Sequence, residues 1–182
     1  MSKSRNDRPS RTVEPQDLRR RLSFSDAQLL AECQVHRHRS GGPGGQQRNK
    51  VASAIRLQHR PSGLVAGAHE SRLQQENLRR ALRRLRIAIA LAARVPLPGD
   101  FAWPPTVQPQ EGRLRIREGN AGFPEAAALV LDAVAAAEGR LADAAALLGL
   151  TTSGLTRFLK EHPALWREVC RMRQQWGLGK LR

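Results

Sequence analysis

Apolar residues along this chain change period several times, and each change marks an expected element. Ser25-Asp26 stands before Ala27-Gln28-Leu29-Leu30-Ala31-Glu32 and reads as a cap followed by a short helix. From Cys33 to Arg39 polar and apolar positions alternate around Val35, which predicts a strand. Ser53 to His59 alternates again, with Ile55 and Leu57 on one face. Pro61-Ser62-Gly63 is a turn signal, and Leu64 to His69 returns as a third strand, so residues 53–69 read as a hairpin. After Ser71 the period lengthens. Leu78, Leu82, Leu85 and Ile89 recur at helical spacing and predict a long helix ending near Arg94. Ser71-Arg72-Leu73-Gln74 has the spacing of a capping box for its start. Arg79, Arg83 and Arg86 form their own helical row, with Arg80 and Arg84 beside it, and should face away from the sheet.

The flanks have other textures. Residues 1–24 are polar, proline-containing and arginine-rich, and read as a disordered arm. Residues 95–120 hold Pro96, Pro98, Pro104, Pro105 and Pro109 and read as a linker, with Arg113-Leu114-Arg115-Ile116-Arg117 a candidate short strand. Residues 121–182 are alanine-rich. Helices are expected from Pro124 to about Glu138, from Ala142 to Leu148, from a cap at Thr151 through Lys160, and from Pro163 to about Trp176. The spacing Ala144-Ala145-x-x-Leu148-Gly149-Leu150-Thr151-x-x-x-Leu155-x-Arg157-x-Leu159 fits a helix-turn-helix, and also an ordinary helical hairpin. The expected class is α+β: a mixed sheet packed on one long helix over 25–94, then a small all-α, helix-turn-helix-like domain over 121–182.

Charge sharpens this picture. The 182 residues carry 31 Lys and Arg against 16 Asp and Glu, a formal charge of +15. Thirteen of those bases, with only two acids, fall within residues 34–94. Such a concentration suits a phosphate-binding surface better than a merely solvated one. Cys33 and Cys170 are far apart and form no CxxC, so neither a disulfide framework nor a cysteine-ligated zinc is expected. No apolar run approaches the roughly 20 residues that span a bilayer, so no membrane partner is expected. The first 23 residues include Asp7, Glu14 and Asp17, which argues against a mitochondrial transit peptide and for a cytoplasmic protein.

The densest chemistry lies between the first two expected strands, in Gly42-Pro43-Gly44-Gly45-Gln46-Gln47. Three glycines and a proline in four positions make a loop that allows unusual backbone angles and close approach to a partner. Arg48-Asn49-Lys50 follows at once. His36 and His38 would share one side of a strand; without a third ligand nearby, RNA contact or surface placement fits them better than metal binding. Among the residues there is no protein triad, paired carboxylate or metal cluster that suggests another chemistry.

Ser40-Gly41-Gly42-Pro43-Gly44-Gly45-Gln46 resembles the Ser-x-Gly-[Pro/Ala]-Gly-Gly-Gln loop of class I peptide chain release factors. Asn49-Lys50-Val51-x-Ser53-Ala54-Ile55-x-Leu57 resembles the strand entry after that loop. His59-Arg60-Pro61-Ser62-Gly63-Leu64 resembles its hairpin turn, and Arg72-x-Gln74-x-x-Asn77 the start of its long helix. The resemblance covers about residues 25–94. It implies hydrolysis of the ester joining a peptide to tRNA in the ribosomal peptidyl-transferase centre. Gly44, Gly45 and Gln46 would be catalytic, and Gly42 and Pro43 would shape the loop. In that family the backbone N–H of the glutamine stabilises the oxyanion, and the base is supplied by RNA, so no cofactor and no metal are implied.

The expected partners are large-subunit rRNA and P-site peptidyl-tRNA, contacted by Arg37, Arg39, Arg48, Lys50, Arg72, Arg79, Arg80, Arg83, Arg84 and Arg86. A monomer is expected, with the C-terminal helices available to a protein partner. Decoding members are about twice this length, so the chain is more similar to the short, codon-independent members that rescue stalled ribosomes. An inactive ribosome- or RNA-binding factor and a helix-turn-helix DNA-binding regulator are the alternatives.

Overall fold

A computed structural model describes residues 13–38 and 53–179. The first element, α1 (Pro15–Arg20), lies where a disordered arm was expected over 1–24. Its start suits a helix: Pro15 leads the first turn, Asp17 sits near the N-terminal end of the dipole, and Arg19 and Arg20 near its C-terminal end. What holds it in place is apolar. Leu18, and Leu22 of the 3-10 turn Arg21–Ser23, are buried in the same core as the sheet and the long helix. The polar composition hid these two leucines. Residues 1–12 lie outside the described residues.

Helix α2 (Asp26–Ala31) has the expected cap. The Gln28 N–H donates to Ser25 Oγ at 3.2 Å, and the Ser25 N–H donates to Gln28 Oε1 at 2.8 Å. Three strands follow: β1 (Cys33–His38), β2 (Ala54–His59) and β3 (Val65–Ala68), in the order β1-β2-β3. Both described pairings are antiparallel, which corrects the expected mixed sheet. Cys33 pairs with His59 and His38 with Ala54. Between β2 and β3, Gly63 takes φ +72°, a value that favours glycine, and the His59 N–H donates to the Leu64 carbonyl at 2.8 Å.

Helix α3 (Gln74–Ala92) buries Ala81, Leu82, Leu85 and Ile89 against β2 and β3. Leu78 of the expected stripe is half-buried at its edge. The capping box does not form. Leu73 is the cap residue, and Ser71 Oγ instead accepts the Leu73 N–H at 3.1 Å and donates to Glu76 Oε2 at 2.5 Å.

Residues 95–120 were expected to link two bodies; they form a strap instead. Val107, Leu114 and Ile116 are buried in the core of the C-terminal helices, and Leu97, Phe101 and Trp103 pack against it. Burial alternates through Arg113–Arg117, but the backbone makes only the isolated bridge Gln110–Arg113, and the expected strand is absent. The four helices match the periodicity closely: α4 (Phe123–Ala136), α5 (Leu141–Leu147), α6 (Thr152–Glu161) and α7 (Pro163–Gln175). Gly149 at φ +65° turns the chain between α5 and α6. The Thr151 side chain caps α6 by accepting the Gly154 N–H at 3.0 Å.

The two cores meet along α3 and α4. Ala128 of α4 belongs to the sheet-side core, while Ile87 and Leu91 of α3 pack on the helical one. Asp132, buried beneath this contact, faces Arg19 at 3.0 Å and Arg94 at 3.1 Å and accepts the Val95 N–H at 3.2 Å. Burial pushes its carboxyl up, against the pull of Arg19. One acid thus ties α1, the end of α3 and α4 together.

Candidate functional site

Residues 39–52 join β1 to β2 and include Gly42, Pro43, Gly44, Gly45, Gln46, Arg39, Arg48 and Lys50; all lie outside the described residues. What is described is the frame that holds this connection. His38 and Ala54 are paired at one end of the ladder, so the connection leaves and rejoins the sheet at a single rim.

The returning side of that rim is clamped by Asn77, a fully buried residue in the first turns of α3. Its Nδ2 donates to the Ser53 carbonyl at 2.7 Å and to the Ser71 carbonyl at 2.8 Å, while its Oδ1 accepts the Ser71 N–H at 2.9 Å. Only an amide supplies two donors and an acceptor from one planar group. The side chain therefore pins the residue that follows the loop to the turn that starts α3.

The far end of the ladder holds a different array. His59 is fully buried; its Nε2 lies 2.8 Å from Glu32 Oε2 and its Nδ1 2.6 Å from Ser62 Oγ. Glu32 also accepts two hydrogen bonds from Arg21, at 2.6 and 3.1 Å. Burial raises the Glu32 carboxyl, but the hydrogen bonds from Arg21 and His59 outweigh it and hold it below the usual carboxylate range. A carboxylate, an imidazole and a hydroxyl in line look like a nucleophilic relay. Their location argues for structure: Ser62 Oγ accepts the Leu64 N–H at 3.3 Å within the hairpin turn. Five strand residues separate this array from the loop rim, roughly 17 Å. It locks α2 to the hairpin turn.

The expected RNA-binding arginines divide. Arg72, Arg79 and Arg83 are exposed on or just before α3, and Arg37 is exposed on β1. Arg80, Arg84 and Arg86 have carboxylate partners in Glu76, Glu70 and Asp26. Arg84 also donates to the Gly67 carbonyl at 2.6 Å, and its bond to Glu70 draws that carboxyl down to about 2. Arg86 is mostly covered, donating at 2.7 Å both to Asp26 and to the Phe24 carbonyl. Arg84 and Arg86 brace α3 against the sheet and α2, whereas Arg80 pairs within α3, and the arginine-rich face carries counter-charges of its own.

Two residues outside the expected set join the exposed surface. Arg56 and Gln58 alternate with buried Ile55 and Leu57, and register places Arg56 opposite His36 and Gln58 opposite Gln34. His36 and His38 do share this outer face, as i, i+2 spacing requires. Among the described residues no group of three or more His, Cys, Asp or Glu is placed to hold a metal ion. No helix among them is long and apolar enough to cross a membrane.

Residues 29–95 match the RF-1 domain model. The chain is 47% identical over 55 residues to peptide chain release factor 1 of Chloroherpeton thalassium, a stretch covering 30% of this chain and 15% of that protein. It is 51% identical over 49 residues to that of Lacticaseibacillus casei, covering 27% and 14%. It is 37% identical over 71 residues to that of Ureaplasma parvum serovar 3, covering 39% and 20%. The chain is thus class I release-factor-like through the segment that holds β1, the loop, β2, β3 and α3, and it spans a fifth or less of the length of these relatives.

Proposed function

We propose that this release-factor-like chain hydrolyses the ester of peptidyl-tRNA in the peptidyl-transferase centre without reading a codon, releasing peptides from stalled ribosomes or large subunits. The observation that carries the reading is the coincidence of three things. The RF-1 match encloses Gly42–Gln46, the sheet delivers that connection from one rim, and Asn77 clamps its return. Water attacking the ester carbonyl builds charge on the oxygen, and the Gln46 N–H would meet that charge. Gly44 and Gly45 would let the backbone approach the tRNA end without a Cβ in the way. Arg37, Arg72, Arg79 and Arg83, with Arg39, Arg48 and Lys50, would neutralise RNA phosphates.

Codon independence is favoured by what packs directly behind the matched segment. The strap and α4–α7 fall outside the match and form a helical core of their own against α3. The test is peptide release from stalled ribosomes and from isolated large subunits, each carrying labelled peptidyl-tRNA and no stop codon. Gln46→Pro removes the N–H and should slow release by about 10²–10³-fold, the usual cost of one oxyanion donor; Gly45→Ala should abolish it. Both should leave ribosome binding nearly intact. Release at the normal rate by either variant would refute the role of the loop. Tight binding by the native chain with no release from either particle would identify an inactive ribosome-binding factor.

A further inference from the structure

The arginines of this protein form two populations. Arg19, Arg80, Arg84, Arg86 and Arg140 are among those that meet carboxylates. Arg113, Arg115, Arg117 and Arg157 do not: all four are exposed and, among the described residues, none has an ion-pair partner. They line one groove of about 380 Å³ between the strap and α6, in which Glu161 is the one acid among the described residues.

The fold builds this groove deliberately. Leu114 and Ile116 are anchored in the helical core, so alternation turns Arg113, Arg115 and Arg117 outward, about 6.6 Å apart if extended. The Gly112 carbonyl accepts the Thr151 N–H at 2.8 Å, fastening the strap to the cap of α6. Gly154, with no Cβ, lets the strap backbone lie against the helix. On the adjoining face of α6, Thr152 and Ser153 present hydroxyls beside Arg157 and Lys160, while Thr156 donates its hydroxyl to the Thr152 carbonyl at 2.8 Å. Four cations held together beside a single acid, and paired with none, repel one another, and a polyanion in the groove would relieve that repulsion.

We infer that this groove binds the phosphate backbone of RNA. The groove is lined by four guanidiniums together with the buried Leu114 and Ile116, and hydroxyls lie beside it on α6; four unpaired cations side by side suit phosphates, whereas the core of a protein interface is depleted of charge. A helix alone is about 10–12 Å across and just fits the roughly 12 Å major groove of B-DNA. With the strap fastened alongside, α6 is too broad to enter. RNA duplexes are read instead across a wide, shallow groove through phosphates and 2′-hydroxyls, which a row of arginines beside hydroxyl side chains suits. The inference is independent of the chemistry at Gly44-Gly45-Gln46.

The test uses the full chain and a labelled RNA hairpin, with affinity followed by fluorescence anisotropy over a salt series. Replacing Arg113, Arg115, Arg117 and Arg157 together by Ala should weaken binding at least about tenfold and reduce the salt slope by about 3, at roughly 0.7–0.9 per lost phosphate contact. Arg20→Ala, at an exposed arginine on α1, should change the slope by less than about 1. Circular dichroism should show native helix content in the fourfold variant, since all four side chains are exposed. Unchanged affinity and slope in that variant would overturn the inference. So would groove-dependent binding tighter to duplex DNA of the same sequence than to RNA.

Discussion

Replacing Asn77 by Ala deletes the clamp beneath the loop and takes the partner from one buried backbone group, the Ser53 carbonyl, and from two half-buried ones, the Ser71 carbonyl and the Ser71 N–H. A buried hydrogen bond contributes about 1 kcal/mol net, and an orphaned group costs about 1–3 kcal/mol, so the loss should reach about 3–4 kcal/mol. That is a large part of the roughly 5–15 kcal/mol that holds a domain folded. Asn77→Asp keeps the shape but sets a carboxylate against the two carbonyl oxygens that Nδ2 now serves, and should be no better at neutral pH. Urea unfolding followed by circular dichroism reads the change as a shifted midpoint at constant slope. Peptide release should fall as well, although no residue of the loop is altered, because Ser53 is where the loop rejoins the frame. A cost below about 1 kcal/mol for Asn77→Ala, or native stability for Asn77→Asp at neutral pH, would refute the three-bond account.

Two further outcomes follow from the packing. Glu32 has its pKa depressed in the folded state, so its contribution is complete above the ordinary value of 4.5 and is lost as pH falls through the lower folded value. Urea midpoints should drop on acidification through that window, and Glu32→Gln should flatten the drop while costing about 1–2 kcal/mol at neutral pH; an identical pH profile in the variant would contradict this. A Cβ at Gly154 would fall within 3.0 Å of the Gly112 carbonyl oxygen and at 2.8 Å from Thr151 Oγ1. Gly154→Ala should therefore cost about 1–3 kcal/mol and weaken RNA binding by displacing the strap; a variant as stable as the native chain would show that strap and helix are not fastened as described.

Much of this protein is determined locally. The Ser25 cap, the alternation through Ile55 and Leu57, the α3 stripe and the boundaries of α4–α7 are written in period and capping chemistry, because each depends on residues a few positions apart. What the sequence concealed depends on distant partners. Leu18 and Leu22 look like isolated apolar residues in a polar arm until the core beside α3 receives them. Asn77 reads as one polar residue in a helix until Ser53 and Ser71 converge on its amide. Arg80, Arg84 and Arg86 look equivalent to Arg79 and Arg83 until Glu76, Glu70 and Asp26 claim them. Arg113, Arg115 and Arg117 sit in a segment with no net charge, far along the chain from Arg157. Only when Leu114 and Ile116 enter the helical core do these arginines come together. A charge acts through space on whatever the fold brings near it, and the order of residues along the chain does not specify that neighbourhood.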